Sequence, residues 1–216
     1  MAKLTLTFDN GPIPGATERI LDLLKERGLQ VTFFVVGEKL AAPGARSIVE
    51  RARQEGHRIG NHTMHHRQPL GEFDDAGDSV EEIAGTQALL GGLADPDRLF
   101  RPQGRGKVGP HLLSPAALDH LLDNRYTMVT WNNVPGDWLE PERAWFDKAL
   151  EDMATQDWTV LVLHDHCQIR MMDLLVSFLD RVEKEELEMR TDFPDSCLPI
   201  VRGELMVDKS DIATGV

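Results

Sequence analysis

The sequence predicts an α/β fold in which short parallel strands alternate with helices packed outside them, as an open sheet or a barrel. Three observations predict it. Runs of β-branched and aromatic residues of strand length recur along the 216 residues. Helical periodicity fills the stretches between those runs. No linker rich in Gly, Pro or Ser divides the chain, and no internal repeat is visible.

The elements follow in order. KLTLTF at 3–8 is the first strand, and the run from Thr17 to Arg27 carries Ile20, Leu21, Leu23 and Leu24 at helical spacing. QVTFFVV at 30–36 is the second strand, followed by a helix from Ala45 to Glu55. HRIGNH at 57–62 precedes a helix from Val80 to Leu90, and RLFRP at 98–102 precedes one from Ser114 to Asn124. YTMVTW at 126–131 leads to a helix from Glu142 to Met153, and TVLVLH at 159–164 leads to a last helix from about Met171 to Leu187. The acidic run EKEELE at 183–188 reads as the solvated end of that helix. Residues 1–206 are expected to form one domain and 207–216 a loosely held C-terminal tail.

Composition narrows the partners. A hydrophobic content of 41% suffices for a sizeable core, and the formal net charge of -13 leaves no basic patch for nucleic acid. Cys167 and Cys197, the two cysteines, are too few for a disulfide framework and are not arranged as CxxC. The N-terminus has no long apolar region before a cleavage site, and no apolar run of about 18 residues occurs, so a cytoplasmic protein with no membrane partner is expected.

In such folds the working residues gather at the carboxyl ends of the strands. Asp9 and Asn10 end the first strand before the Gly11-Pro12 turn. In isolation an Asp before Gly-Pro is turn chemistry. His62 and His66 follow the third strand, and a spacing of four would put both rings on one face if the segment turned helical. His164 closes the apolar strand TVLVL, with Asp165 and His166 after it. A His at the end of a buried strand is more often structural than catalytic, but three strand ends each carrying acid–base groups are less easily accidental.

These motifs resemble those of the polysaccharide deacetylase family, the NodB homology domain of carbohydrate esterase family 4. TFDNGP at 7–12 is similar to that family's TFDDGP, HTMHH at 62–66 to its H[ST]xxH, and RLFRP to its RxFRP. GDW at 136–138 corresponds to the end of DxxDW, and LVLH at 161–164 to the final LxH. The resemblance implies a distorted (β/α) barrel of about seven parallel strands with outer helices. It implies a divalent metal, zinc, held by His62 and His66 with Asn10 at the third ligand position. Asp9 would be the general base oriented by Arg101, and His164 the general acid tuned by Asp137. The backbone N–H of Gly104 would receive the oxyanion, and Val162 with Trp138 would wall the acyl pocket. The activity implied is metal-dependent removal of an N-acyl group, most simply acetyl, from an amino sugar or a related small N-acyl compound.

The chain departs from the family pattern at three places. Asn10 replaces an aspartate, so the metal site has one negative charge fewer. RPQGRG replaces RPPYG and leaves Gly104 without the tyrosine side chain, and Val134 stands where DxxDW has its first aspartate. Trp131, Asn132 and Asn133 are candidates to line the altered groove. Asn10 and the altered third motif motivate one alternative, a non-catalytic carbohydrate-binding relic of the fold, and a second is a metal-independent amide or imide hydrolase, as the resemblance to relatives acting on cyclic ureides or imides implies. GRGKVG at 104–109 satisfies GxGxxG, but Pro110 follows at once and the deacetylase pattern accounts for the rest of the chain, so dinucleotide binding is not expected.

Overall fold

The computed structural model describes residues 2–216. Its strands are β1 (Lys3–Gly11), β2 (Thr32–Val35), β3 (Arg58–Asn61), β4 (Leu99–Phe100), β5 (Thr127–Met128), β6 (Trp158–His164), β7 (Glu188–Arg190), β8 (Ile200–Val201) and β9 (Glu204–Leu205). They hydrogen-bond in the order β6-β1-β2-β3-β4-β5-β8-β9, and β7 pairs with the start of β1. Every pairing among β1 to β7 is parallel, and β8 and β9 add an antiparallel hairpin beyond β5. A parallel bridge between Asn133 and Leu161 returns the chain beyond β5 to β6. The sheet therefore curls into the distorted, incompletely closed barrel that the sequence predicts.

The helices are α1 (Thr17–Glu26), α2 (Ala45–Gln54), α3 (Ala76–Leu90), α4 (Pro115–Asp123), α5 (Ala144–Met153), α6 (Asp165–Gln168) and α7 (Met172–Lys184). Ile20, Leu21, Leu23 and Leu24 of α1 are all buried, as their spacing demands. α3 starts where the Asp75 carboxylate accepts from the Gly77 and Asp78 amides, and α4 where the Ser114 hydroxyl accepts from Ala117 with Pro115 in the first turn. β1 lies between β6 and β2 and is buried on both faces. Leu4, Leu6 and Phe8 are fully buried, as are Thr5 and Thr7 between them.

Two expectations fail at the C-terminal end. The last helix stops at Lys184, and Glu188, expected to belong to the solvated helix end at 183–188, instead opens β7 against β1. The Glu188 amide donates to the Ala2 carbonyl, while Arg190 pairs with both Glu188 and Asp192 and lies 5.5 Å from the Trp158 ring. Charged residues on a half-buried edge strand are satisfied laterally, so their composition misleads. Residues 207–216 are not loose either. Ile212 and Ala213 are buried, and Leu113 exchanges backbone hydrogen bonds with Ile212 and Thr214 at 3.1 and 3.0 Å. Two apolar residues and one bridge suffice to dock the segment.

Candidate active site

The carboxyl ends of β1, β3, β4 and β6 open onto one cavity of about 580 Å³. Asp9, Asn10, His62, His66 and His164 line it, with Gly104, Trp131, Trp138 and Val162 on its walls. Successive strand residues point to opposite faces, so Asp9 and Asn10 would not share this cavity in a regular strand. The register between β1 and β2 slips at this point, from Asp9 opposite Phe34 to Gly11 opposite Val35. Asn10 is the extra residue of a bulge, with φ 70°, a conformation that asparagine tolerates better than most residues. The Lys39 ammonium donates to its main-chain oxygen.

Arg101 and Asp137 stand behind the cavity. Arg101 is fully buried and donates to Asp9 Oδ1 at 2.8 Å and to Thr7 Oγ1 at 2.7 Å. Its remaining nitrogens reach the carbonyls of Val129 and Thr130, and its Cζ lies 4.0 Å from the Phe34 ring centroid. A guanidinium so fully satisfied holds the Asp9 carboxylate in one orientation.

Asp137 is buried and uses both oxygens. Oδ1 accepts from His164 Nδ1 at 2.7 Å, and Oδ2 accepts from the His164 amide and from Gln168 Nε2, each at 2.8 Å. Burial disfavours the His164 imidazolium, but the hydrogen bond and charge of Asp137, aided by Asp9 and Asp165, outweigh it and raise its pKa above the ordinary value. Nδ1 is committed to Asp137, which leaves Nε2 available to the cavity. Gln168 carries no signal in sequence, because a Gln one turn past a strand reads as surface.

His62 and His66 meet without a helix. The segment after β3 is a bent loop with positive φ at Thr63 (67°) and His66 (52°), and it brings the two ring centroids to 4.6 Å. The helical expectation is thus corrected, although the spacing of four still delivers both imidazoles to one place. His62 Nδ1 donates to the Arg101 carbonyl at 2.7 Å, which fixes the tautomer and leaves Nε2 unprotonated, 3.4 Å from Asp9 Oδ2. Burial pushes both imidazoles down to about 3, so they are neutral at physiological pH.

Two neutral imidazoles beside a carboxylate suit a divalent metal. Asn10 Oδ1 is buried and has no hydrogen-bond partner among the described residues, so it is an acceptor awaiting a cation or donor. The donor set therefore fits a metal through Asn10, His62 and His66. No cluster of three or more His, Cys, Asp or Glu side chains with metal-holding geometry occurs among the described residues.

The groove wall differs from expectation. Asn132 binds the strand instead, donating to the Trp158 carbonyl and accepting from the Val160 amide. Asn133 is buried and donates to the Ala149 carbonyl. Strand-end amides here close the barrel where the Asn133–Leu161 bridge forms. Arg105, Gln103, Val134 and His166 join the lining, with Arg105 held by Glu72.

Fold and site together define an α/β-barrel protein with a carboxylate and an imidazole, Asp9 and His164, facing a candidate metal position. Residues 2–107 match the family described as polysaccharide deacetylase. A chitooligosaccharide deacetylase of Rhizobium leguminosarum bv. phaseoli is 30% identical over 173 residues, 76% of this chain and 68% of that protein. A peptidoglycan-N-acetylglucosamine deacetylase of Bacillus cereus is 31% identical over 140 residues, 64% of this chain, and the match spans 61% of its length. A crystal structure of a peptidoglycan N-acetylglucosamine deacetylase superposes with a TM-score of 0.70 at 26% identity, over 93% of this chain and 89% of the other. The chain belongs to the polysaccharide deacetylase family.

Proposed function

We propose that the protein is a zinc-dependent hydrolase that removes an N-acyl group, most simply acetyl, from an amino sugar or a short oligosaccharide containing one. The observation that carries this reading is the pair of independently anchored groups, Asp9 on Arg101 and His164 on Asp137, in one cavity with the His62 and His66 imidazoles. The related proteins act on chitooligosaccharides and peptidoglycan, which supports an N-acetylated sugar as the substrate class.

Asn10, His62 and His66 would hold the ion, which when bound supplies Lewis acidity toward the acyl carbonyl and toward water. Asp9, oriented by Arg101, accepts the proton of the attacking water. The Gly104 amide N–H stabilises the developing oxyanion. His164, whose pKa Asp137 raises, gives a proton from Nε2 to the departing amine, which otherwise leaves poorly. Val162 and Trp138 exclude water around the acyl methyl.

The test is a zinc titration of chelator-stripped protein with His62→Ala as the control, followed by an assay of acetate release from N-acetylglucosamine oligomers. Saturable binding of one ion, lost in the variant, with acetate release is the expected result. Asn10 favours a second reading, a carbohydrate-binding relic. Oligosaccharide binding without acetate release under any divalent metal would establish it.

A further inference from the structure

We propose that Glu82, on α3, is a positioning residue that sets His62 and His66 in place before any ligand arrives; the proposal rests on the reading that these imidazoles hold a metal. The loop joining them is not a helix, so no intrahelical ladder fixes it. Its four consecutive amides are taken up by side chains instead. The Thr63 amide donates to Asn61 Oδ1 at 3.0 Å, and the His66 amide to Thr63 Oγ1 at 3.1 Å. The two between them, Met64 and His65, both donate to Glu82 Oε2, at 3.0 and 2.9 Å. Successive amides that converge in a bend form an anion-binding concavity, and here the protein supplies its own anion.

Glu82 does a second thing. Its Oε1 accepts from His65 Nδ1 at 2.6 Å, so the third imidazole of HTMHH is drawn away from the cavity that His62 and His66 line. The carboxylate is itself fixed, with its side chain 7% exposed. The next residue, Ile83, is fully buried, and its carbonyl accepts from Asn61 Nδ2 at 2.8 Å. β3, the loop and α3 are thereby one unit. Asn10 contributes no charge to the metal position, so affinity depends more heavily on imidazoles that need no rearrangement.

The experiment compares wild type, Glu82→Ala, Glu82→Gln and His65→Phe, all chelator-stripped, by amide hydrogen exchange and by titration with zinc alone. In wild type the Met64 and His65 amides are expected to be protected without metal. Glu82→Ala should lose that protection locally and lower zinc affinity by about 10- to 100-fold. Glu82→Gln keeps one carbonyl acceptor but loses the charge and the second oxygen, so it should lose part of the protection and several-fold in affinity, less than Glu82→Ala, while His65→Phe should lose only a few-fold. A merely structural Glu82 would lower the melting temperature but leave zinc affinity unchanged in folded protein, and that result overturns the proposal. Should Glu82→Ala not fold, wild-type affinity in both Glu82→Gln and His65→Phe overturns it equally. If wild type takes up no zinc, the metal reading fails and exchange decides alone. Exchange accelerated only at the loop in Glu82→Gln supports the positioning role, and unchanged exchange refutes it.

Discussion

Asp9 and His164 are direct register partners across the adjacent parallel strands β1 and β6. Partners on neighbouring strands project to the same face, so the proposed base and acid enter the cavity side by side while each is anchored by a different segment behind it. Asp9→Asn should abolish acetate release, since an amide takes no proton, yet keep an acceptor for Arg101. Asp9→Ala leaves a fully buried guanidinium without its carboxylate and should also destabilise the protein by about 3–5 kcal/mol. Denaturant unfolding of the two variants separates the effects, and equal stability would show that the pair does not carry the Arg101 charge.

Asn10→Asp should raise zinc affinity at least about tenfold, because it adds a negative charge to two neutral imidazoles. The bulge already presents residue 10 to the cavity, so no rearrangement is needed. Competition with a chromogenic chelator measures the change. An unchanged or weaker affinity would mean that Asn10 does not face the ion.

Much of this site is legible in sequence because strand runs are legible, and strand ends locate the groups that follow them. Asp9, Arg101 and His164 sit where KLTLTF, RLFRP and TVLVLH end. The gaps have physical causes. Spacing alone cannot distinguish a helix from a loop with positive φ at Thr63 and His66, since both juxtapose residues four apart. A glutamate in an amphipathic helix reads as solvated, and only the loop folded over α3 reveals that Glu82 is buried. β7 was hidden by its charges, and the docking of Ile212 and Ala213 by the shortness of the apolar signal.

Asp137→Asn removes the charge that raises His164. An acid catalyst works only below its own pKa, so activity falls as pH rises through that value. In the variant this alkaline limb should move to lower pH, and kcat at neutral pH should fall by about 100- to 10,000-fold. A kcat–pH profile checks both. An alkaline limb that stays in place would remove His164 from the acid role.

Asp165 is fully buried, one oxygen accepting from the Thr17 hydroxyl and the other without a partner among the described residues. Burial pushes its carboxyl up to about 7, above the 3.8 of an ordinary aspartate. The folded state thus holds this proton more tightly than the unfolded chain, and the stability it confers is lost as pH rises from about 4 through 7. The span corresponds to roughly 4 kcal/mol. His57, His62 and His66, all depressed by burial, act in the opposite sense as pH falls, so the contribution must be read as a difference. Asp165→Asn should match wild type near pH 4 and become progressively more stable up to pH 7, levelling off above it. A constant difference across that range would show that Asp165 does not change ionisation on folding.

Gly104 stands where the family pattern has a tyrosine, and the structure leaves no room there even for a methyl group. A Cβ at 104 would lie 2.6 Å from Trp131 Cη2 and 2.7 Å from Leu112 Cδ2. The indole, carried from the segment beyond β5, therefore packs against the glycine backbone and supplies the cavity wall that a tyrosine ring would otherwise form. Overpacking of this kind costs about 1–3 kcal/mol, so Gly104→Ala should lose that much stability and, by displacing the N–H proposed to bind the oxyanion, lower kcat more than it alters KM. Trp131→Phe trims the side that collides most closely. The double variant Gly104→Ala/Trp131→Phe should consequently be more stable than the sum of its single changes predicts, by about 0.5 kcal/mol or more. Recovery stays partial because Leu112 still obstructs the new methyl. Strict additivity in a denaturant-unfolding cycle would mean that the indole yields freely, and that glycine at 104 serves the backbone donor rather than the ring beside it.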